Sequence, residues 1–345
     1  MIEVVPVDTP PTRLTRMLAV PKKDGTPRRV VDLQALNKTC ARETHYTPSP
    51  WQQVSAIPPG MRKCVLDAWQ AYHSTRLSKD SKHKTTFITE YGRYRYCRAP
   101  QGYKASGDAY TKRFDDITAG VPDQTRCVDD TCFWKSTIEE MFWHTCRYID
   151  LCARNGVIFV PKKFVFAREV VDFAGFTVAL DSIKPTDKMI SAIRDFPTPT
   201  TLTGARGWFG LVNQVAYAFS QTSVMAPFRE LLQKKRKFYW DNVLDKLFQE
   251  SKQEIVRQVV DGVKMFDPRR QTCLATDWSK TGIGFFLLQQ YCQCSSLAKA
   301  PQCGPGHWKL VFAGSRFLRD AETRYAPIEG RPWQFCLLWR GHDCM

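Results

Sequence analysis

The sequence contains no uninterrupted apolar run long enough to cross a bilayer, and its first residues lack the basic start and apolar core of a secretory signal. Internal repeats and low-complexity tracts are absent as well, which argues against a repeat architecture or a disordered chain. The 13 cysteines are scattered and odd in number, which does not suit a disulfide framework. We therefore expect free thiols in a reducing compartment, cytoplasmic or nuclear.

Acidic residues are scarce compared with basic ones. The 345-residue chain has 34 Asp and Glu against 50 Lys and Arg, so its formal net charge is +16. This imbalance favours a polyanionic partner, either nucleic acid or an acidic membrane surface. Hydrophobic residues make up 43% of the sequence, which is enough to build the cores of two or three domains.

The apolar patterns predict an α+β fold in three parts. Residues 1–180 mix strand and helix patterns, whereas residues 181–265 are mostly helical. One of these helices is predicted over Leu202–Phe219 and another over Ala226–Lys234. Strand patterns return in the last part, residues 266–345.

The first part contains several well-marked elements. A hairpin is predicted over Thr85–Tyr96, and a helix over Ile138–Asn155 with Gly156 at its C-cap. Residues 40–60 are rich in Pro, Thr and Ser, which predicts a loop.

Three aspartates follow or interrupt short apolar segments. Asp129 and Asp130 are adjacent within Arg126–Trp134, and Asp67 ends the predicted strand Cys64–Leu66. Clustered carboxylates repel one another and lose hydration, and a bound divalent cation removes that cost. Three aspartates that converge on two metal ions would suit nucleotidyl transfer. The alternative for the adjacent pair alone is a solvated acidic turn.

Five sequence motifs occur in an order that resembles one polymerase family. They are the basic run Val20–Asn37, Val65-Leu66-Asp67 with Tyr72, Pro100-Gln101-Gly102, Cys127-Val128-Asp129-Asp130, and Gly175-Phe176. Together they resemble the reverse transcriptase of gypsy-type LTR retrotransposons, from about residue 15 to residue 329. The resemblance implies a right-hand polymerase with fingers and palm in residues 1–180 and a helical thumb or connection in residues 181–265.

The resemblance implies a role for each matching residue. Asp67, Asp129 and Asp130 would be catalytic and would hold two Mg²⁺ ions, with Mn²⁺ as an alternative metal. The residues that would contact the incoming nucleotide are Lys22, Arg28, Tyr72 and Gln101. Tyr72 would exclude a 2′ hydroxyl, so that dNTPs are selected over NTPs. The alternatives are a solvated basic hairpin for Lys22 and Arg28, core packing for Tyr72 and an ordinary turn for Gln101.

The implied function is RNA-directed DNA polymerisation. The partners would be an RNA or DNA template with its primer, dNTPs and other parts of a retroelement polyprotein, with no membrane involved. The open alternative is a catalytically inactive remnant that only binds nucleic acid.

The third part resembles the beginning of a retroelement RNase H. Thr276–Gly284 is similar to its first strand, and Ser315-Arg316 through Glu329 is similar to the segment that leads to its second carboxylate. Residues 266–345 are therefore expected to form a truncated RNase H-like α/β unit with a divergent tail, in which Pro332 disrupts the helical pattern. Asp277 and Glu329 would be two carboxylates of an incomplete site, so RNase H activity is expected to be absent.

Several positions depart from the family pattern. Cys127 replaces the usual aromatic residue before the aspartates, and Ala99 stands where a larger apolar residue usually precedes Pro100. A separate hypothesis concerns zinc, for which the candidate ligands are Cys292, Cys294, Cys303 and His307. The spacing of the first two cysteines departs from the usual Cys-x₂-Cys pattern, which favours a loop with free thiols.

Overall fold

The computed structural model describes residues 1–10, 14–21, 25–232, 238–279, 282–292, 305–319 and 321–324. The chain forms two compact units. The first comprises Met1–Pro48 and Lys63–Ala167, and the second comprises Ser49–Arg62 and Arg168–Met345. Across the described residues, none of the helices has the length and apolar character that a bilayer span requires.

Helices are distributed along both units. The α-helices of the described residues are α1 (Gln34–Thr39), α2 (Pro50–Ser55), α3 (Lys79–Lys82), α4 (Ser106–Thr118), α5 (Ile138–Arg154), α6 (Asp187–Arg194), α7 (Leu202–Asn213), α8 (Gln221–Met225) and α9 (Asn242–Val259). Short 3₁₀ segments occur at Ala71–Ser74, His83–Thr85, Pro161–Lys163, Ala216–Ala218, Ala226–Leu232, Pro305–His307 and Glu322–Arg324.

Two sheets organise the first unit. Its strands are β1 (Ile2–Val4), β2 (Thr15–Pro21), β3 (Pro27–Val31), β4 (Arg62–Asp67), β5 (Phe87–Thr89), β6 (Gly92–Tyr96), β7 (Gln124–Cys127), β8 (Asp130–Lys135) and β9 (Val165–Arg168). One sheet has the order β1-β6-β5-β2-β3, and β2 and β5 are parallel neighbours in it. The other has the order β7-β8-β4-β9 and carries the three aspartates at its strand ends.

The second unit contains two further sheets around its helices. Its strands are β10 (Val171–Phe173), β11 (Phe176–Val178), β12 (Ser182–Pro185), β13 (Val263–Lys264), β14 (Thr272–Trp278), β15 (Gly282–Gln290) and β16 (Trp308–Phe317). The sheet orders are β10-β11-β12-β13 and β14-β15-β16, and the pairs in both are antiparallel. The residue before β13 is Gly262. A larger residue would not fit there, because its Cβ would lie 2.3 Å from the carbonyl oxygen of Ile183.

The α5 helix covers the aspartate-bearing sheet of the first unit. It begins with a capping box between Thr137 and Glu140, and Gly156 follows it with a φ of 71°, as the sequence predicts. Its buried side chains recur at helical spacing and join one core with β4, β8 and α4; they are Met141, Thr145, Tyr148 and Cys152. The hairpin predicted over Thr85–Tyr96 is also present, as β5 and β6.

Three predicted elements differ from the structure. The segment 40–60, predicted as a loop, contains α2, because Ser49 and Gln52 form a capping box and Pro50 suits a first helical turn. The helix predicted to reach Phe219 ends at Asn213, where β-branched and amide side chains lower helix propensity. The segment from Ala226 is a 3₁₀ helix rather than an α-helix. The part boundaries predicted at residues 180 and 265 stay predictions.

The structure describes nine cysteines. Eight of them are free thiols, as expected; they are Cys40, Cys64, Cys97, Cys127, Cys132, Cys146, Cys152 and Cys273. Of these eight, four are partly exposed, three are buried in the first unit, and Cys146 is exposed. The core therefore uses cysteine as a small apolar residue.

Replacing Trp208 tests the packing of the helical part. The indole is 1% exposed and packs edge-on against Phe248 at 5.0 Å, with Phe196 at 5.4 Å. We expect Trp208→Ala to lower the free energy of unfolding of the second unit by about 3–5 kcal/mol, because a large cavity is left. Urea denaturation followed by circular dichroism measures this. Arg206→Ala, on the exposed face of the same helix, is the control and should change it by less than about 0.5 kcal/mol.

Candidate active site

The structure brings Asp67, Asp129 and Asp130 together at the ends of neighbouring strands. Asp67 is the last residue of β4 and is 8% exposed. Asp130 begins β8 and pairs with Cys127 of β7, so Val128 and Asp129 form the two-residue turn of a hairpin. The backbone amide of Ala68 donates a 2.8 Å hydrogen bond to the carbonyl of Asp129. This bond fastens the hairpin turn beside the end of β4.

The hairpin turn is strained. Val128 has a φ of 57°, in the left-handed region that β-branched residues avoid. Such a conformation costs on the order of 1–3 kcal/mol and persists only where the surrounding structure enforces it. Here the Cys127–Asp130 pair and the Ala68 hydrogen bond enforce it. The sequence contains no glycine or asparagine that would predict a left-handed residue at this turn.

The three carboxylates influence one another electrostatically. Burial, followed by the charges of Asp129 and Asp67, raises the pKa of Asp130 to about 6. A hydrogen bond with Asp67 contributes to the same shift, because it favours the protonated carboxyl. The site therefore carries a surplus of negative charge at neutral pH, which a cation would relieve.

Lys163 supplies a positive charge that the sequence analysis missed. Its Nζ lies 2.5 Å from Asp67 Oδ2, and the hydrogen bond with Asp67 raises the pKa of the lysine. Lys163 ends the 3₁₀ segment Pro161–Lys163, and the amide of Val160 donates to the carbonyl of Asp67 at 2.8 Å. The only available signal was the position of Pro161-Lys162-Lys163 shortly after the predicted helix, which is too general to assign a role.

Arg28 and Gln101, predicted from separate motifs, lie in contact. Arg28 is in β3, and its Nε and Nη2 donate to Gln101 Oε1 at 3.2 and 2.5 Å. Both side chains are exposed, so this contact is open to a ligand. Lys22, the other predicted triphosphate contact, lies outside the described residues.

Asn37 fixes the turn that carries Gln101. Its Nδ2 donates to the carbonyl of Gly102 at 2.8 Å, and its Oδ1 accepts from the amide of Lys104 at 2.9 Å. Gly102 has a φ of 89°, a conformation that suits glycine. Asn37 is the last residue of the basic motif. Its side-chain amide joins that motif to the turn that carries Gln101.

His73 joins the turn to the segment that carries Tyr72. Its Nδ1 lies 2.9 Å from the carbonyl oxygen of Ala99, and its ring stacks on Tyr96 at 6.1 Å. Burial lowers the pKa of His73, which keeps the ring neutral with Nδ1–H as the donor. No motif in the sequence pointed to His73.

Tyr72 lies near the aspartates and is only partly buried. Its ring packs edge-on against Tyr110 at 6.0 Å, and Gly107 faces it without a side chain. Burial, followed by the charge of Asp129, raises the pKa of the Tyr72 phenol. The ring therefore packs on the core, as the alternative interpretation expects, and the predicted contact with the sugar stays a prediction.

Arg126 anchors the hairpin to α4. Its side chain is 7% exposed and hydrogen-bonds Asp115, and the guanidinium lies 4.3 Å from the centre of the Phe114 ring. Asp115 also accepts from His45 Nε2 at 2.6 Å. The residue before Cys127 is thus held by α4, the helix that follows the Gln101 turn.

Several predicted residues do not join this site. Glu329, Cys294 and Cys303 lie outside the described residues. Asp277 lies in β14 opposite Gly284, within the second unit. The Gly175-Phe176 motif forms the β10–β11 turn, where the Phe176 ring packs against the ring of Tyr217 at 5.5 Å.

The donor set at Asp67, Asp129 and Asp130 suits a hard divalent cation. In the part of the chain that the structure describes, no three histidine, cysteine or acidic side chains already converge in a metal-binding geometry. Asp130 nevertheless lies near enough to Asp129 and Asp67 for their charges, after burial, to contribute to its raised pKa. Oxygen donors with surplus negative charge are the ligands that Mg²⁺ prefers, so the residues fit such an ion.

The mixed fold, with aspartates at the end of β4 and at the β7–β8 turn, is that of a polymerase with fingers and palm. Residues 20–178 match the family of reverse transcriptases (RNA-dependent DNA polymerases). The predicted resemblance is confirmed for the reverse transcriptase part, whereas the partial RNase H-like region stays a prediction.

The relatives are retrotransposon polyproteins. The chain is 25% identical over 279 residues to the transposon Tf2-3 polyprotein of Schizosaccharomyces pombe. The aligned region covers 80% of this chain and 21% of the polyprotein. The Tf2-7 polyprotein of the same organism gives the same figures. The chain therefore spans about a fifth of the length of these relatives.

Solved structures share the fold. One is the foamy viral protease-reverse transcriptase dRH in complex with double-stranded DNA, with a TM-score of 0.81 and 20% sequence identity. The match covers 98% of this chain and 57% of the foamy viral chain. The foamy viral protease-reverse transcriptase in complex with RNA/DNA hybrid matches 98% and 44%, with a TM-score of 0.74 and 18% identity. These matches confirm the predicted polymerase fold.

The raised pKa of Asp130 predicts a pH-dependent cost to stability. Between the unfolded value near 4 and the folded value near 6, the folded protein keeps a proton that the unfolded chain has released, so stability falls as pH rises. In EDTA, Asp130→Asn should therefore stabilise the protein by about 1 kcal/mol near pH 8, with partial exposure discounted, and by much less near pH 4. Denaturant unfolding at both pH values measures this. Asp116→Asn, an exposed aspartate on α4, should show no such pH dependence.

Proposed function

We propose that this chain is an RNA-directed DNA polymerase that transfers a nucleotide from a dNTP to a primer 3′ hydroxyl. The observation that carries the proposal is the convergence of Asp67, Asp129 and Asp130 at strand ends within a reverse transcriptase domain. The template would be RNA or DNA with an annealed primer, and the net charge of +16 suits this partner. Other parts of a polyprotein would accompany the chain, because the matched residues cover only 21% of the Tf2-3 polyprotein.

The three aspartates would hold two Mg²⁺ ions, with Mn²⁺ as a substitute. When bound, the ions would neutralise the triphosphate and lower the pKa of the primer hydroxyl. Asp67, Asp129 and Asp130 would supply the carboxylate oxygens that hold the ions. Lys163 would keep Asp67 oriented and would limit the repulsion among the carboxylates until the substrate complex forms.

The basic hairpin would bind the incoming nucleotide. Arg28 and Lys22 would meet the triphosphate, the first by a bidentate guanidinium grip and the second as a point charge. Gln101 accepts hydrogen bonds from Arg28. When the substrates bind, its side chain would contact the nucleotide and the template instead. Asn37 and His73 would keep the Gln101 turn in place, which reduces the entropy lost on binding.

Primer extension tests the catalytic role of the aspartates. With an RNA template, a DNA primer and Mg²⁺, the parent protein should extend the primer, and Asp129→Asn should lower the rate by at least about 10²-fold because a metal ligand is lost. Asp116→Asn is the matched control. Equal extension by the parent and Asp129→Asn would sink the assignment of Asp129.

The same assay separates the enzyme from a remnant that only binds nucleic acid. A remnant would bind template and primer in a salt-dependent manner but would give no extension with either Mg²⁺ or Mn²⁺. Filter binding at two salt concentrations, run beside the extension assay, distinguishes the two functions. A cytoplasmic or nuclear location stays a prediction from the sequence.

Tyr72 gives a test of sugar selection. If its ring lies under the sugar, Tyr72→Ala should raise incorporation of rNTPs relative to dNTPs by at least about 10-fold, because steric exclusion of the 2′ hydroxyl is lost. Single-nucleotide incorporation with each substrate class measures the ratio. Tyr72→Phe, which keeps the ring, should retain the parent's selectivity; a ratio unchanged in Tyr72→Ala would show that the ring only packs on the core.

A further inference from the structure

The α5 helix has a second apolar face that nothing in the described part of the chain covers. Its buried face joins the core of the first unit, but Ile138, Phe142 and Ile149 are 55%, 49% and 39% exposed. Cys146 and Ala153 are also exposed. Single exposed apolar side chains are ordinary, whereas a contiguous row of them marks an interaction surface.

These residues form one straight stripe. At 100° per residue, Ile138, Phe142, Cys146, Ile149 and Ala153 fall within a sector of about 80° on the helix surface. The spacing of four, four, three and four residues is that of helices that pack side by side. We call this row of five residues the α5 stripe.

The α5 stripe is symmetric along the helix. Ile138 and Ala153 lie at equal distances from the point between Thr145 and Cys146, and so do Phe142 and Ile149. A two-fold axis at this point, perpendicular to the helix, would therefore place Phe142 against Ile149 of a second antiparallel copy. Interfaces between two identical chains require this kind of self-complementary patch.

The charges beside the α5 stripe favour the same antiparallel arrangement. Glu139 lies in the first turn and Arg154 in the last, and both are on the same flank of the stripe. An antiparallel pair would place Glu139 of each copy on the same side of the interface as Arg154 of the other, where opposite charges attract. Arg154 also pairs with Asp150 in its own helix, but both are largely exposed, so that contact contributes little.

We propose that the α5 stripe docks a second copy of this chain, with the two α5 helices antiparallel and Cys146 near the two-fold axis. A helix of 17 residues is about 25 Å long, so the pair buries less area than a standard stable interface. The expected association is therefore weak, with a Kd on the order of 10 µM or above. It is independent of the proposed polymerase activity, because none of these residues belongs to the aspartate site.

Sedimentation velocity of the full chain from about 1 µM to about 200 µM tests the proposal. The parent should move from monomer to dimer over this range, and Phe142→Glu should remain a monomer. Tyr91→Glu, which changes an 82% exposed aromatic residue elsewhere in the same unit, should dimerise like the parent. Circular dichroism confirms that each variant is folded. A parent that stays monomeric throughout, or a dimer that survives Phe142→Glu, overturns the proposal.

A charge exchange tests the antiparallel register. Glu139→Arg and Arg154→Glu should each weaken the dimer about 3- to 10-fold, and the double variant should recover most of the loss. A helix that had merely been damaged at its ends would not recover. If the double variant is weaker than either single one, the antiparallel register is wrong.

Oxidation provides a positional readout. Cys146 is the exposed thiol among the described cysteines, and a mild oxidant should convert the dimer into a disulfide-linked species on a non-reducing gel. Cys146→Ser and Phe142→Glu should each abolish this species. A cross-link that persists in Cys146→Ser would place another thiol at the contact and contradict the proposed two-fold axis.

Discussion

The hydrogen bond from the Ala68 amide to the Asp129 carbonyl is the contact on which the aspartate cluster depends. It joins the end of β4 to the β7–β8 turn, although the charges on both sides repel one another. Backbone bonds supply this restraint because they carry no net charge and cannot rotate away. The side chains are consequently held close enough for burial and mutual repulsion to raise the pKa of Asp130 to about 6.

The second restraint is a set of neutral hydrogen bonds around the Gln101 turn. Asn37 holds Gly102 and Lys104, and His73 holds Ala99. Because burial keeps His73 neutral, its bond does not change with small shifts of pH near neutrality. The aspartates and the turn that carries Gln101, which is predicted to contact the nucleotide, are thus positioned by separate networks, one built on strand ends and one on an amide and an imidazole.

Much of this arrangement could be predicted from the sequence because the motifs mark strand ends. Asp67 follows an apolar strand, and Asp129 and Asp130 occur at a turn within an apolar segment, so their convergence follows from sheet geometry. Lys163 and Arg126 could not be predicted in this way. Their partners are 96 and 11 residues distant, and a basic residue gives no local signal of the carboxylate it will meet.

Local sequence also misled in identifiable places. The α2 helix was not predicted, because proline and serine usually indicate a loop. Here Ser49 is the N-cap and Pro50 lies in the first turn of the helix. The left-handed conformation of Val128 was not predicted, because β-branched residues avoid that conformation. Only tertiary contacts enforce this conformation. In both cases the deciding factor was a specific hydrogen bond rather than the average preference of the residue.

The energetic costs at the candidate site bear on whether it is an enzyme or a remnant. Strain at Val128, repulsion among three carboxylates and the burial of Arg126 all reduce stability. Glycine at position 128, or a neutral residue in place of one of the aspartates, would relieve one of these costs, and drift without selection for the site would therefore tend to remove them. All three are present together, and each is answered by a specific contact from the Ala68 amide, Lys163 or Asp115. This pattern favours a palm maintained for catalysis over one that only binds nucleic acid, since binding alone requires basic surface and none of these strained features.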